Sequence, residues 1–401
     1  MQGRIIKRNN LYYCAAKGKL RPIKIDTTDK INNGDLVEIK NETASGSKEI
    51  KRSNILVLKK IPSRAKFIDI EDTTPLFKRL ENRILDLRRP VNHARFMARS
   101  EINKTLSRLF GDNGYINVNT PLIVGPITEG RVKTFNIDFF GKAAFLAMTK
   151  LVHLRHLICA DFEKVYDLSP VFVGGKHKTS AHVSEYYTFD WANSEKTEFS
   201  GQLRHINKIL FDLVSNLSKL ENSSGLIVSS KKKLLLEEIK STNIVTYREL
   251  MRQYIIENPG DKKTLEQHHL PDRVIEFAHR LYGRYLWVTE FPEKFKQFYC
   301  DTIEVNDENV VLASDLWWNK VKVASVSFSN SDYKKTLKRI GMLGLNRKNF
   351  KNYLNSIQLG SPEAYLGSLY IERLMMVILG INNIKDALMF PRAAQGTVLD
   401  P

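Results

Sequence analysis

The stretch FEKVYDLSPVFVGGKHKTSAHVSEYYTFDWAN, residues 162–193, decides the fold. Its two ends, 165–173 and 185–193, are dense in valine, tyrosine and phenylalanine and read as strands. Upstream, AAFLAM (143–148), TFNIDFF (134–140) and YINVNTP (115–121) read as further strands. Before them, 92–110 carries Phe96, Ile102, Leu106, Leu109 and Phe110 at helical spacing. Downstream, 198–220 reads as helical, and the polar stretch 222–285 as a helical insertion or lid. Strands return at YLWVTEFP (285–292), CDTIEVN (300–306), NVVLASDLWW (309–318) and VKVASVSF (321–328), and a last helix over 370–379 precedes ALMFPR (387–392). This alternation predicts an α+β domain around a mostly antiparallel sheet.

The N-terminal sixty residues differ. GRIIKR, LYYCAA, RPIKID, DLVEIK and NILVLKK are short alternating runs separated by turn residues such as Asn9-Asn10 and Asn32-Asn33-Gly34. They predict a small β-barrel over 1–62, of the oligonucleotide-binding type, with Tyr12 and Tyr13 pointing to opposite faces. A linker, 63–90, joins it to a larger domain, 91–401.

The chain of 401 residues is 42% hydrophobic and 26% charged, enough for one large core and against disorder. Its 62 Lys and Arg against 44 Asp and Glu leave a net charge of +18. Residues 1–65 hold 15 of the basic and 6 of the acidic residues, so half the excess lies there. That asymmetry points to a polyanionic partner, nucleic acid above all. No apolar run approaches the ~18 residues of a membrane helix, and the opening decapeptide is polar and basic rather than a secretory signal. Cys14, Cys159 and Cys300 stand far apart with no CxxC, as expected of reduced buried thiols in a cytoplasmic protein. His153 and His156, and the pair His268-His269, have no cysteine or carboxylate cluster to complete a metal site. GxSxG, P-loop and GxGxxG patterns are absent.

Several segments in one order resemble the class II aminoacyl-tRNA synthetases, in their aspartyl/asparaginyl branch. They are RLENRILDLRRP (79–90), RSEINKTLSRLFGDNGYINVNTP (99–121), TEG (128–130), FEKVYDLSPVF (162–172), TSAHVSEYYTFD (179–190), TEFP (289–292), GLNRKNFKNYLNSIQLGSP (344–362) and ERLMMVILGINNIKDALMFPR (372–392). The resemblance implies an antiparallel catalytic sheet flanked by helices, an anticodon-reading barrel, a homodimer through the first-motif region near Pro121, a tRNA or aminoacyl-tRNA partner, and ATP with magnesium as cofactors.

The residues carrying that chemistry are altered. The second-motif pattern F-R-x-E reads Phe172-Val173-Gly174-Gly175, so the arginine that touches phosphate and carboxylate is valine and the glutamate is Gly175. The basic residue of the R-H pair is Ala181, beside a retained His182 and Glu185. Where a carboxylate holds magnesium the chain has Lys322, which cannot ligate a cation while protonated. Ser325 is kept, and the following G-G-Q-R reads Val326-Ser327-Phe328-Ser329. The third-motif glycines are Ser368 and Tyr370, with Arg373 retained. In Q-S-P-Q-L-Y-K, whose lysine neutralises an aspartate side chain, the lysine is Leu154. Glu129 and Asp190, which by the resemblance grip an α-amino group, remain.

The loss falls on one site's contacts while the scaffold segments stay well formed. The leading expectation is a synthetase-like protein with adenylation lost or altered. Arg373 and Lys322 would be its catalytic remnants, Glu129 and Asp190 its amino-acid contacts, and Lys176, His182, Glu185, Ser325 and Arg373 its contacts to a nucleotide or tRNA end. Lys176, His177 and Lys178, in the second-motif loop, and Lys231-Lys232-Lys233 are candidate acceptor-stem contacts. The alternatives are an active ligase charging tRNA with aspartate, asparagine or a relative, and a non-catalytic tRNA-binding or regulatory protein.

Overall fold

The computed structural model describes residues 2–8, 11–16, 19–24, 32–39, 50–51, 55–60, 70–71, 73–125, 133–175, 179–217, 229–266 and 270–394. Its contacts divide the chain into two compact units. One is Met1–Ser100 with Lys219–Ile227 and Gly396–Pro401; the other is Glu101–Ser218 with Val228–Gln395.

The first unit opens with β1 (Gln2–Arg8), β2 (Leu11–Ala16), β3 (Lys19–Lys24), β4 (Leu36–Ile39), β5 (Ile50–Lys51) and β6 (Ile55–Lys59), in the sheet order β5-β3-β2-β1-β4-β6. β1 pairs antiparallel with β2 and with β4, and β3 runs parallel to β5. Ile5 and Cys14 face each other across the first pair, and both are buried with Val37. Tyr13 is half-buried; the side chain of Tyr12 lies outside the described residues. Two short helices follow, α1 (Leu76–Glu81) and α2 (Arg83–Leu87), within what the sequence suggested was a linker. They close on a buried Asp86: Arg89 reaches it at 2.9 Å, Arg79 at 3.6 Å, and Arg83 donates to it as well. The helix α3 (Pro90–Asp112) then carries the chain across the boundary between the units.

In the second unit, β7 (Ile116–Asn117) leads to a three-stranded sheet of β8 (Ile123–Val124), β9 (Asn136–Phe139) and β10 (Lys142–Leu146), in the order β8-β10-β9. After α4 (Leu151–Cys159) come β11 (Lys164–Phe172) and β12 (Glu185–Asn193), paired antiparallel over nine residues each, as the opening stretch suggested. Then follow α5 (Phe199–Asn216), α6 (Ser229–Lys240), β13 (Asn243–Thr246), α7 (Tyr247–Glu257), α8 (Asp272–Tyr282), β14 (Tyr285–Pro292), β15 (Thr302–Val305), β16 (Glu308–Trp318) and β17 (Val321–Ser329). The helices α9 (Tyr333–Met342) and α10 (Lys351–Gln358) precede β18 (Ala364–Tyr370) and α11 (Ile371–Leu379). The main sheet runs β13-β14-β16-β17-β18-β12-β11-β7, with β15 beside β16, antiparallel except at its two edges.

Local chemistry sets these boundaries. Thr246 caps α7 by accepting from the Glu249 amide, the T-x-x-E arrangement of a capping box. Gly380 ends α11 in the left-handed region at φ 71°. The segment expected to be an insertion or lid is woven into the domain over its described residues: β13 pairs parallel with β14, and Leu250, Met251, Val274 and Ile275 join the main core. No helix among the described residues is long and apolar enough to cross a membrane.

Candidate functional site

Register places the site. Asp167 pairs with Asp190, Asp190 with Ser368, Ser368 with Ser325, and Ser325 with Asp315. Directly opposed residues share a face, so five polar side chains line up across β11-β12-β18-β17-β16, roughly 4.7–4.9 Å per strand. Above the last four lies a cavity of about 200 Å³, lined also by Met148, Leu151, Val171, Val173 and Tyr370.

Each end of the row carries its own lysine. Lys150, just before α4, is fully buried; its ammonium donates to the carbonyls of Thr188 at 2.9 Å, Ser169 at 3.0 Å and Asp167 at 3.3 Å. It lies 3.8 Å from both the Asp167 and Asp190 carboxylates, close enough to neutralise Asp190 without consuming its lone pairs. Burial pushes the Asp190 carboxyl above its ordinary value, and Lys150 opposes that rise. At the far end Asp315 accepts from Ser325 at 2.8 Å and from Lys296 at 2.7 Å, with Lys322 at 3.5 Å. Burial raises the Asp315 carboxyl, but Lys296 and then Lys322 outweigh it and hold it at about 2.

A β-bulge explains why Lys322 faces this way. The pairing of β16 with β17 shifts between Leu316 and Trp317, so Lys322 falls opposite Trp317, on the face of Asp315. Lys296 arrives from the turn after β14. Its ammonium sits 3.8 Å over the Phe291 ring, and the turn is held by the Arg339 guanidinium, which donates to the carbonyls of Glu293, Lys296 and Gln297 at 2.9–3.2 Å. Burial lowers the Lys296 ammonium, against the pull of Asp315.

Two cations lie over the Tyr370 ring, Lys322 at 5.6 Å and Arg373 at 5.2 Å from its centre. Its hydroxyl lies 3.2 Å from Ser325 Oγ, and burial pushes it up to about 12. Arg373 also donates to the carbonyls of Ala181 at 3.4 Å and Lys322 at 3.5 Å. The second-motif residues have their own reasons: Val173 lines the cavity, and a Cβ on Gly174 would lie 3.0 Å from the Lys133 and Thr134 carbonyl oxygens. Leu154 is a core residue.

The structure thus brings together Asp190, Ser325, Lys322 and Arg373 of the expected site residues. His182 lies beside Thr179, and Glu185 opens β12 opposite Phe172. Glu129, Lys176, His177 and Lys178 lie outside the described residues. Sequence reasoning missed Lys150, Lys296 and Asp315. The signal was faint: a lone lysine inside FLAMTKLVHL and a lone carboxylate inside VVLASDLWW. Burial holds His156 down at about 4, with His153 and Arg155 adding to it, which suits a packing role. Among the described residues no group of three His, Cys, Asp or Glu could hold a metal. None of the three cysteines is in a disulfide; Cys14 and Cys300 are buried and Cys159 is half-buried.

The donor set does not fit magnesium. Both oxygens of Asp315 are engaged and two ammonium groups flank it, a net positive site that repels a divalent cation. The cavity, about 200 Å³, is smaller than the roughly 300–1,000 Å³ of pockets for drug-sized ligands, and Tyr370 is among its lining residues.

A sheet of this order, with a cavity over its central strands and a strand-to-helix arginine at Arg373, defines a domain of the class II synthetase type. The profile of the family described as tRNA synthetases class II (D, K and N) matches residues 76–394, and the chain belongs to that family. Among similar proteins, the aspartate–tRNA(Asp/Asn) ligase of Methanococcus aeolicus is 28% identical over 404 residues, covering 97% of this chain and 88% of its own. That of Methanopyrus kandleri is 26% identical, covering 88% and 80%. The asparaginyl-tRNA synthetase of Pyrococcus horikoshii, solved with asparaginyl-adenylate, superposes with a TM-score of 0.84 at 19% identity, over 98% of this chain and 94% of its own. At that identity the likeness is one of fold.

Proposed function

We propose that this is an aspartyl/asparaginyl-tRNA synthetase-like protein without amino-acid adenylation. It binds tRNA, aminoacyl-tRNA or an aminoacyl nucleotide in an accessory or biosynthetic step, such as transfer of an aminoacyl group or its conversion to an amide. The observation that carries this reading is the pair of lysines closed on Asp315, which stand where an adenylating enzyme of the family needs a divalent ion. The valine at 173 supports it, since no fixed cation there steadies a pentavalent phosphate. Arg373, Lys322 and Lys176 serve as the remaining anion contacts, with His182, Glu185 and Ser325 near the nucleotide end. Asp190 and Glu129 serve as the amine contacts.

The basic N-terminal segment supports a tRNA partner. Exposed Ile116, Ile123 and Phe139, on strands near exposed Pro121, and Phe140 in the turn after β9 support a homodimer through that region. Sedimentation equilibrium reading a monomer would remove the dimer. The test of the reading itself pairs two titrations of the full chain. Unfractionated tRNA binds with an affinity that falls steeply and log-linearly with salt, and Mg-ATP does not bind. A flat salt response, or saturable Mg-ATP binding, is the contrary result.

A further inference from the structure

The charges in the cavity cancel overall but not locally. At one end Asp167 and Asp190 face Lys150 alone, leaving one negative charge in excess. At the other, Lys296 and Lys322 face Asp315 alone, leaving one positive charge in excess. The two lysines are not equivalent. Lys296 makes the close 2.7 Å contact, is covered by Phe291, and stands on a turn clamped by Arg339. Lys322 stands 3.5 Å off and 28% exposed, with its ammonium toward the cavity. Lys296 therefore balances Asp315, and Lys322 carries the surplus. Beside it stand two hydroxyls, those of Ser325 and Tyr370, 3.2 Å apart. The Ser325 proton goes to Asp315, so the Tyr370 hydroxyl is the donor left beside the ammonium, and a surplus ammonium with that donor in a small cavity is electrostatically complementary to an oxyanion.

We propose that Lys322, held by the Lys296–Asp315 pair and flanked by Ser325 and Tyr370, forms an oxyanion site that works without a metal. It takes the carboxylate or phosphoryl group of a small ligand. A lysine suits the task because a compact ammonium with three rotatable donors accepts either geometry. The excess negative charge around Asp190 then favours a ligand whose other end donates hydrogen bonds or is cationic. The proposal rests on the reading above in one respect, that Mg-ATP does not occupy the cavity.

The experiment is an NMR titration of the full-length protein with inorganic phosphate, observed by phosphorus, and with carbon-labelled succinate. Each is run in EDTA and again in excess magnesium, with Mg-ATP as a separate arm. Saturable binding of at least one anion, unchanged by EDTA, is expected. Lys322→Met weakens it about 10- to 100-fold, the worth of one hydrogen bond to a charged group. Tyr370→Phe, which keeps every charge and removes the remaining hydroxyl donor, weakens it severalfold and serves if Lys322→Met does not fold. Lys320→Met, which removes a surface lysine paired with Glu276, leaves it unchanged. Binding of phosphate alone names a phosphoryl ligand, of succinate alone a carboxylate. Anion binding that requires magnesium, or that survives Lys322→Met, overturns the proposal. If neither anion binds and Mg-ATP does not either, this proposal falls and the reading above stands. Magnesium-dependent ATP binding overturns both.

Discussion

Lys150 and Asp315 hold opposite ends of one polar row, and each makes a prediction about stability. Removing one partner of a buried ion pair leaves an uncompensated charge, at about 3–5 kcal/mol. Lys150→Met should lose that much at neutral pH in urea denaturation. The deficit should shrink on acidification, because Asp190, already raised by burial, protonates first. An unchanged midpoint would contradict the account of Lys150 as the buried counter-charge of Asp167 and Asp190. Asp315 works the other way. Its folded value of about 2 lies below that of an unfolded carboxylate, so the folded state binds fewer protons. Its contribution is therefore fully present above about pH 4 and is lost as pH falls toward 2, roughly 2 kcal/mol. Asp315→Asn should be less stable than wild type at pH 7, with Lys296 left unpaired, yet lose less stability between pH 4 and pH 2. Equal acid slopes for the two proteins would contradict the pairing.

At the scale of elements, β18 is the strand that the site depends on, since it carries Ser368 and Tyr370. It lies flat against Trp191 of β12: Gly367 is the register partner of Trp191, and a Cβ there would fall 2.1 Å from the indole. The indole belongs to a buried aromatic cluster with Phe110, at 5.5 Å, and cannot move aside freely. Gly367→Ala should destabilise by about 1–3 kcal/mol or more through overpacking and disturb the cavity with it. A thermal midpoint within a degree or so of wild type would show that the strand has room.

Elements were the most legible part of the sequence. Strands 165–173 and 185–193 and the helices at 92–110 and 370–379 declare themselves through local periodicity, and the structure places them within two residues. β13 does not: four residues, NIVT, between two helices are too few for alternation to register, and only pairing with β14 makes them a strand. The site was half legible for a related reason. The substitutions at 173, 175, 322 and 370 stand out against a motif. The partners Lys150 and Lys296 come from 17 residues before Asp167 and 19 before Asp315, and a bulge decides which way Lys322 points. Register and turn geometry are not local properties, so no window of sequence displays them.

At the scale of the whole molecule, the family fold is kept, and on the function proposed above internal salt links at Asp315 stand in place of ligand contacts. Likeness to an asparaginyl-tRNA synthetase at 19% identity is one of fold alone, and the site speaks to chemistry. The most direct measurement is amino-acid-dependent exchange of labelled pyrophosphate into ATP, run with the purified protein and each standard amino acid singly. A folded protein that shows no exchange above the blank with any of them is the predicted result. Exchange with even one amino acid would mean that an active ligase survives around Lys296, Asp315 and Lys322, and would contradict the loss of adenylation outright.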